Sequence, residues 1–491
     1  MDLLTLLNNC HINYDKKKII NYKITGIKIN SQEVCPNDIF VAIRGQTNDG
    51  HDYILECINK GVKTIIYEDH YYDLIPLENV NMIRTNCTKT TLAVLASYFY
   101  GEPSRKMTLV GVTGTNGKTS VTSFIYQLYR LLKQGCTLIG TNGIKINDKC
   151  LPSDNTTPNT LIINQILADS LKQGIINAVM EVSSHAIKQK RVSQLDFHTV
   201  ILTNFSQDHL DYHRTMLDYF YTKGMFLASL GNSYNDKKVL FNGDDKTYKK
   251  FLDLTNVQSY TYGITTLNDI QAKNIICGID QISFHLYCFK EFCGIVESKL
   301  FGFFNIYNLL AALGYFYLQG YKMKELMSLV PQLKGIPGRM ERIDNDLGLD
   351  IFIDFAHTPE SVYRILSEVR MLTDKRIILI IGCGGNRDEL KRPLIGKITT
   401  SLADYVIFTT DNPRFENPQN IIDNILQGVV SDNYEVELDR AVAIKKGIDN
   451  MTKNDILLIL GKGHEDYQII NNEKIYYSDK LEVQKYLGIQ S

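Results

Sequence analysis

Lysine, threonine, glutamate and histidine stand at the ends of several apolar runs in this chain, where a sheet can gather them at one edge. The densest such place is Gly111 to Ser120, GVTGTNGKTS. An apolar strand, MTLVGVT, ends at Thr113; the turn Gly114, Thr115, Asn116, Gly117 follows, and Lys118, Thr119 and Ser120 open a helical pattern, SVTSFIYQLYRLL. Successive N–H groups of such a turn point inward at a polyphosphate, Lys118 adds a point charge, and Thr119 offers a hydroxyl to Mg²⁺. The strict P-loop pattern wants glycine where Val112 stands; here the glycines are Gly111, Gly114 and Gly117. The competing account, an ordinary strand-to-helix loop, is disfavoured by Gly-Lys-Thr opening a helix.

Other strand ends carry related chemistry. Glu181 follows NAVM and leads into Ser183, Ser184 and His185, while TVIL runs into Thr203, Asn204, Asp208 and His209. In parallel sheets ligands lie beyond the carboxyl ends of strands, so these residues are placed to meet one. Mg²⁺ prefers oxygen ligands and phosphates to a complete protein cage, which suits an isolated Glu181; a strand-end salt bridge is the alternative. His185, His209 and His213 each remain open to a purely structural role.

The elements that must position these residues fall into three segments of an α/β protein. At 491 residues the chain exceeds one compact core. Residues 1–103 alternate short strands and brief helices. Residues 104–338 open on the phosphate turn, continue with parallel-type strands in NAVMEVSS, TVILTNFS and KKVLFNGDD, and close at GIPGRM. Residues 339–491 alternate strand and helix through LDIFIDFAH, RIILIIGCGG, DYVIFTTDN and DILLILGKG, which specifies a doubly wound parallel sheet. A net charge of -1 gives no basic field for nucleic acid or an anionic membrane. Ten cysteines without a CxxC pair point to a reducing compartment, and apolar runs well below the ~20 residues of a membrane span point to a cytoplasmic protein.

The strings GTNGKT, EVSSHA, TNFSQDHLDYH, FGFFNIYN, GIPGRMERI and DFAHTP together resemble the Mur ligases, cytoplasmic ATP-dependent enzymes of peptidoglycan precursor synthesis to which folylpolyglutamate synthetase is related. Within that family NTTPN, GCGGNRDELKRP, DNPRFENP and GKGHEDYQ are similar to the ligases that add the third peptide residue. The resemblance implies a small N-terminal UDP-substrate domain, a central P-loop ATPase-like domain and a C-terminal Rossmann-like domain that receives the amino acid. It implies a monomer acting on ATP, UDP-MurNAc-L-Ala-D-Glu and meso-diaminopimelate, with Mg²⁺ as cofactor. A lysine acceptor, a folate-type ligase and a non-catalytic ATP-binding subunit are the alternatives.

Residue roles follow from the same resemblance. Gly114 to Ser120 would cradle ATP phosphates, with Lys118, Glu181, His209 and Lys223 catalytic. Thr119, Glu181, His209 and Lys223 would serve the metal, Lys223 as the N6-carboxylysine carbamate rather than an exposed helical ammonium. Asn305 and Asn308 would meet adenine, Arg339 phosphate and Asp354 ribose, although the asparagines also suit a helix cap. Ser31, Thr156, Thr157, Ser184 and Arg191 would grip the UDP-MurNAc-peptide, and Gln32 stands where the family has arginine. Arg387, Asp411, Asn412, Pro413, Arg414, Gly461 and Glu465 would hold diaminopimelate, with a surface salt bridge the competing role for Arg414.

Overall fold

The structure, a computed structural model, describes all residues except 46–47, 69–78, 154, 233–235, 266, 472 and 490–491. The chain forms two compact units, one of Met1–Ile270 with Ala311–Gln319 and one of Gln271–Leu310 with Gly320–Ser491. No helix among the described residues is long and apolar enough to cross a membrane.

The first unit contains two sheets. In the N-terminal one, Ile27–Lys28, Ile39–Val41, Thr64–Tyr67 and Asn81–Arg84 pair in chain order, all parallel. Successive strand residues face opposite ways, so Ile39, Val41 and Ile66 pack with Leu3, Leu6, Leu92 and Leu95, while Phe40 and Ile65 pack with Ile54 and Cys57. Both faces are apolar because a parallel sheet is covered on both sides.

The larger sheet carries the phosphate turn. Within this unit the strands run in the order Gln258–Gly263, Lys238–Asn242, Thr199–Leu202, Thr108–Thr113, Asn177–Glu181, Cys136–Gly140, Gly143–Ile146, Lys149–Leu151. The first six are parallel and the last two turn back as antiparallel hairpins. Thr108–Thr113 is therefore central, flanked by the strands ending at Glu181 and Leu202, and the polar residues after all three share one edge. Leu109, Met180, Val200 and Phe241 bury one face against Ile163 and Leu167 of helix Thr160–Lys172 and Phe226 and Leu227 of helix Met216–Ala228.

In the second unit, Ile282–Cys288 and Glu291–Ser298 form an antiparallel hairpin whose first strand alternates in burial, as ISFHLYC predicts. The C-terminal sheet runs Glu341–Arg342, Asp350–Asp354, Asp455–Leu460, Arg376–Ile381, Tyr405–Phe408, Tyr434–Val436, parallel except at its first strand. Helices cover both faces: Val362, Leu366, Ile395 and Ile422 pack on Leu379 and Leu458, and Ala443, Ile444 and Val483 on Ile378 and Leu457. This is the doubly wound arrangement that the alternation of strands and helices predicts.

One buried ion pair clamps this domain. Arg440 Nε and Nη2 donate to Asp479 Oδ1 and Oδ2 at 2.7 and 2.8 Å, and both side chains are fully buried. Asp479→Ala is expected to lower unfolding free energy by about 3–5 kcal/mol, because it strands a buried guanidinium, whereas Arg440→Met with Asp479→Leu should cost far less. Urea unfolding of the two variants checks this; equal losses would show that packing rather than charge dominates there.

Candidate functional site

Glycine is required at the phosphate turn. Gly114 and Gly117 adopt φ of +146° and +85°, and a Cβ on Gly114 would lie 1.9 Å from Thr203 Oγ1. The turn differs from the expected row of inward N–H groups. Thr115 N donates to Asn204 O at 3.0 Å and Asn116 N to Asn204 Oδ1 at 2.9 Å, so Asn204, read from the sequence as a strand-end residue placed to meet a ligand, instead takes two donors of the turn. The anion-facing part of the motif is instead the first turn of helix Lys118–Leu131, whose N–H groups have no intrahelical acceptor. Lys118 Nζ lies across the turn, donating to Gly114 O at 2.9 Å and Thr115 O at 2.8 Å.

Glu181 ends the neighbouring strand with 1% of its surface exposed. Thr119 Oγ1 donates to its Oε2 at 2.9 Å, Thr141 N to Oε1 at 2.7 Å and Thr141 Oγ1 to Oε2 at 3.2 Å. Gly140 makes the room, since a Cβ there would meet Oε1 at 2.4 Å. Among the described residues Glu181 makes no salt bridge, so the carboxylate is buried with three neutral donors and no cation. A buried charge held this way is costly without a counter-ion, and the hard-oxygen pair Glu181 and Thr119 fits Mg²⁺. No three His, Cys, Asp or Glu side chains converge as a metal cage among the described residues.

Lys223 is one helical turn after Tyr219, and both face inward. The lysine is 1% exposed rather than a solvated helix residue. Its Nζ donates to Gly114 O at 3.1 Å and Thr113 Oγ1 at 3.3 Å and lies 4.9 Å from the centre of the Tyr219 ring. Tyr219 Oη is 3.2 Å from Thr115 Oγ1, so the same helix reaches the phosphate turn twice. Burial, and then the charge of Lys118, push the Lys223 proton affinity well below that of an ordinary lysine, against a smaller pull from Asp208.

Of the histidines, His209 is half-exposed at φ +54°, its Nε2 3.4 Å from Asp208 Oδ2. His185 stands edge-on to it at 5.0 Å and stacks on Tyr212 at 3.9 Å. His213 is buried, its Nε2 2.8 Å from Ser184 Oγ, which fixes that hydroxyl; burial keeps its proton affinity low.

Thr156, Thr157, Ser184 and Arg191 collect at the Glu181 strand end. Thr156 Oγ1 is 3.0 Å from Thr141 Oγ1, Thr157 Oγ1 donates to Glu181 O at 2.8 Å, and Arg191 Nη1 donates to Thr157 O at 2.6 Å. Ser31 belongs to the N-terminal sheet instead, buried in the short turn Ser31–Glu33, with Lys60 Nζ donating to its carbonyl at 2.9 Å. Gln32 Nε2 donates to Glu56 Oε1 at 3.4 Å.

Two further sets lie in the second unit. Asn305 falls inside the first turn of helix Phe303–Leu318, so it is not an N-cap. Its Nδ2 donates to Phe301 O at 2.9 Å, and Asn308 Nδ2 donates to Asn305 Oδ1 at 3.0 Å, an i, i+3 pair on one face. Asp354 accepts from Ala356 N and Met340 N, each at 2.7 Å. Burial raises its proton affinity and Arg339 opposes this. Arg339 lies over the Phe355 ring at 5.1 Å.

The remaining set is built on three loops after strands of the C-terminal sheet. Asn412 Nδ2 donates to Glu465 Oε2 at 2.9 Å, and Asn412 Oδ1 accepts from Ile469 N at 3.0 Å. Lys462, unassigned from the sequence although GKG marks a strand end, is fully buried and donates to Asn412 Oδ1 and Glu465 Oε2, each at 3.2 Å. Arg414, at φ +54°, donates through Nη1 to Gly385 O at 2.8 Å and Asn412 O at 3.4 Å. It pairs with no carboxylate among the described residues, so the surface salt bridge is not formed. Gly461, at φ +115°, lets buried Asp411 approach, since a Cβ there would lie 2.7 Å from Asp411 Oδ2. Pro413 O is packed so tightly against Gly385 that a Cβ there would lie 2.0 Å away. Arg387 is exposed on the same loop as Gly385. Pro413, Arg414 and Gln468 line a cleft of about 600 Å³.

Comparison with known proteins covers nearly all of these elements. Residues 23–100 match the Mur ligase family catalytic domain, 112–316 the Mur ligase middle domain and 338–463 the Mur ligase glutamate ligase domain. The chain is 38% identical over 464 residues to a UDP-N-acetylmuramoyl-L-alanyl-D-glutamate--2,6-diaminopimelate ligase of Bacillus cereus, covering 94% of this chain and 93% of that one. It is 39% identical to the corresponding ligase 2 of Clostridium acetobutylicum, covering 99% of this chain and all (100%) of that one. A solved structure of a UDP-N-acetylmuramoyl-L-alanyl-D-glutamate--2,6-diaminopimelate ligase superposes with a TM-score of 0.69 at 29% identity, covering 95% of each chain.

Proposed function

Since this chain belongs to the Mur ligase family, we propose that it joins meso-diaminopimelate to UDP-MurNAc-L-Ala-D-Glu in an ATP-dependent amide synthesis in the cytoplasm. The D-glutamyl carboxylate attacks the γ-phosphorus of ATP, releasing ADP and leaving an acyl phosphate. The diaminopimelate amine then adds to the acyl carbon, and the tetrahedral adduct expels phosphate to give the amide.

The observation that carries this reading is the contact chain at the phosphate turn, in which Thr119 donates to a buried Glu181 and the preceding residue, Lys118, lies across the turn. Lys118 moves from carbonyls of its own turn to the phosphoryl oxygens, where its charge is worth most as negative charge gathers. Thr119 and Glu181 would hold Mg²⁺, with His209 and carbamylated Lys223 assigned to the same metal role, and the ion would supply neutralisation of phosphate charge. Gly114 to Ser120 are assigned to the ATP phosphates, the turn giving the shape and the helix start at Lys118 to Ser120 the donors; Asn305 and Asn308 are assigned to adenine, Arg339 to phosphate and Asp354 to ribose. Ser31, Thr156, Thr157, Ser184 and Arg191 hold the UDP-MurNAc-peptide, and Arg387, Asp411, Asn412, Pro413, Arg414, Gly461 and Glu465 the acceptor.

Product formation from UDP-MurNAc-L-Ala-D-Glu, ATP, Mg²⁺ and a panel of amino acids tests the reading. Amide product is expected with diaminopimelate, and Lys118→Ala should lower turnover by roughly 10²–10³ while remaining folded, the scale for loss of one preorganised donor. Near-normal turnover in that variant would remove Lys118 from the phosphate cradle.

A further inference from the structure

Arg392 belongs to none of the residue sets above. It lies in the first turn of helix Lys391–Leu402 with 0% of its surface exposed. Its Nη2 donates to Glu416 Oε1 and Oε2 at 3.0 and 2.8 Å, while Nε and Nη1 are buried with no partner among the described residues. Among the described residues Glu416 is thus the one carboxylate that compensates this charge.

Position gives the pair its meaning. Glu416 stands two residues after Arg414, and its Oε1 also accepts from the N–H of Asn386, the residue before Arg387. The two loops are stitched further by Phe415 N donating to Asn386 Oδ1 at 3.1 Å and Gly385 N donating to Asn412 O at 2.9 Å. A single carboxylate, pinned by a guanidinium from the sheet side, therefore sets the spacing between the loop that presents Arg387 and the loop that presents Arg414. A buried arginine with two idle donors is an expensive filler, and a leucine or methionine would occupy the volume at lower cost.

We infer that Arg392 and Glu416 are a positioning pair for acceptor selection, holding Arg387 and Arg414 at the separation that an amino acid with a distal carboxylate requires. This rests on the acceptor reading given above. Neither residue touches the acceptor. Each acts through the arginine on the neighbouring loop, so the pair governs acceptor affinity and discrimination and leaves the ATP and UDP-MurNAc-peptide contacts alone.

The test uses the full-length enzyme with Arg392→Met, Arg392→Lys and Glu416→Gln, reading the KM of each of the three substrates, kcat, the diaminopimelate-to-lysine ratio of kcat/KM, and thermal unfolding. Displacing a binding group by about 1 Å can cost roughly 10²-fold, so a rise of at least about tenfold in the diaminopimelate KM is expected in Arg392→Met and Glu416→Gln. The ATP and UDP-MurNAc-peptide KM values should stay within about twofold, and the ratio should fall. Arg392→Lys keeps the charge without the fork and should recover part of the loss. Should Arg392→Met fail to fold, the lysine and glutamine variants decide. An unchanged ratio, or three KM values rising together with the melting temperature falling, overturns the pair. An unmodified enzyme that prefers another amino acid would sink the diaminopimelate reading instead; the KM of that preferred acceptor, if unmoved in the same variants, overturns the positioning pair as well.

Discussion

Lys223→Ala is expected to lose turnover by roughly 10³-fold, the upper end for one preorganised group, while formate or acetate restores part of it. A buried ammonium beside Lys118 would oppose any cation at Glu181, and burial already depresses its proton affinity. The neutral amine attacks the carbon of CO₂; a C–N bond forms, the amine proton leaves to water, and the chain gains a carbamate anion. Short carboxylic acids carry the same anionic group and fit the space left by a truncated side chain. The pH dependence has a definite sign. A lysine with a folded pKa below its unfolded value near 10.4 binds fewer protons folded than unfolded, so the stability of the unmodified chain falls as pH drops through that window. Acidification also protonates the amine and disfavours the carbamate, so activity should fall with decreasing pH and added bicarbonate should offset the loss. Mass spectrometry under CO₂ at neutral pH should show a 44 Da adduct, roughly the mass of one CO₂, on the peptide containing Lys223. Wild-type activity in Lys223→Ala without rescue would exclude the role.

Much of this was legible because strand ends are legible. Apolar runs of β-branched residues mark parallel strands, and the polar residue after each run marks a ligand-side edge: Glu181 and Thr203 on the large sheet of the first unit, Asn412 on the C-terminal sheet of the second. The alternation in the C-terminal segment similarly yields a doubly wound sheet. What the sequence hides is orientation. Asn204 is placed by its strand end to meet a ligand, yet it takes the amides of Thr115 and Asn116, which leaves the helix start as the source of donors for an anion. Lys462 and Arg392 have no assignment from the sequence, and both are fully buried, paired with Glu465 and Glu416. A long side chain's direction depends on neighbours far along the chain, which local pattern does not encode. The asparagines at 305 and 308 illustrate the converse: their spacing suits a cap, and only the helix start at Phe303 shows that they do not cap it.

Diaminopimelate is expected to exceed L-lysine in kcat/KM by roughly 10⁴–10⁵, because a site that satisfies a polar group rejects an analogue lacking it. The two amino acids differ by one carboxylate on the distal carbon. The proposed reader of that difference is Arg414: Nη1 is tied to Gly385 O and Asn412 O, and Nε and Nη2 donate to no acceptor among the described residues. A carboxylate docked on that free edge gains two parallel bonds from a guanidinium that the loop already holds still. Lysine leaves the same edge dry and unpaired. Glu465 is the proposed complement at the ammonium, since its Oε2 is occupied by Asn412 and Lys462 while Oε1, among the described residues, has only Tyr467 Oη at 3.5 Å. Arg414→Ala should therefore raise the diaminopimelate KM far more than the ATP KM and narrow the preference over lysine, largely by losing diaminopimelate rather than gaining lysine. Steady-state kinetics with both amino acids at saturating ATP and UDP-MurNAc-peptide decides the matter. Comparable kcat/KM for the two acceptors in the unmodified enzyme would refute the diaminopimelate assignment, and the ligase chemistry at the phosphate turn would stand unaffected, because Lys118, Thr119 and Glu181 make no use of the acceptor side chain.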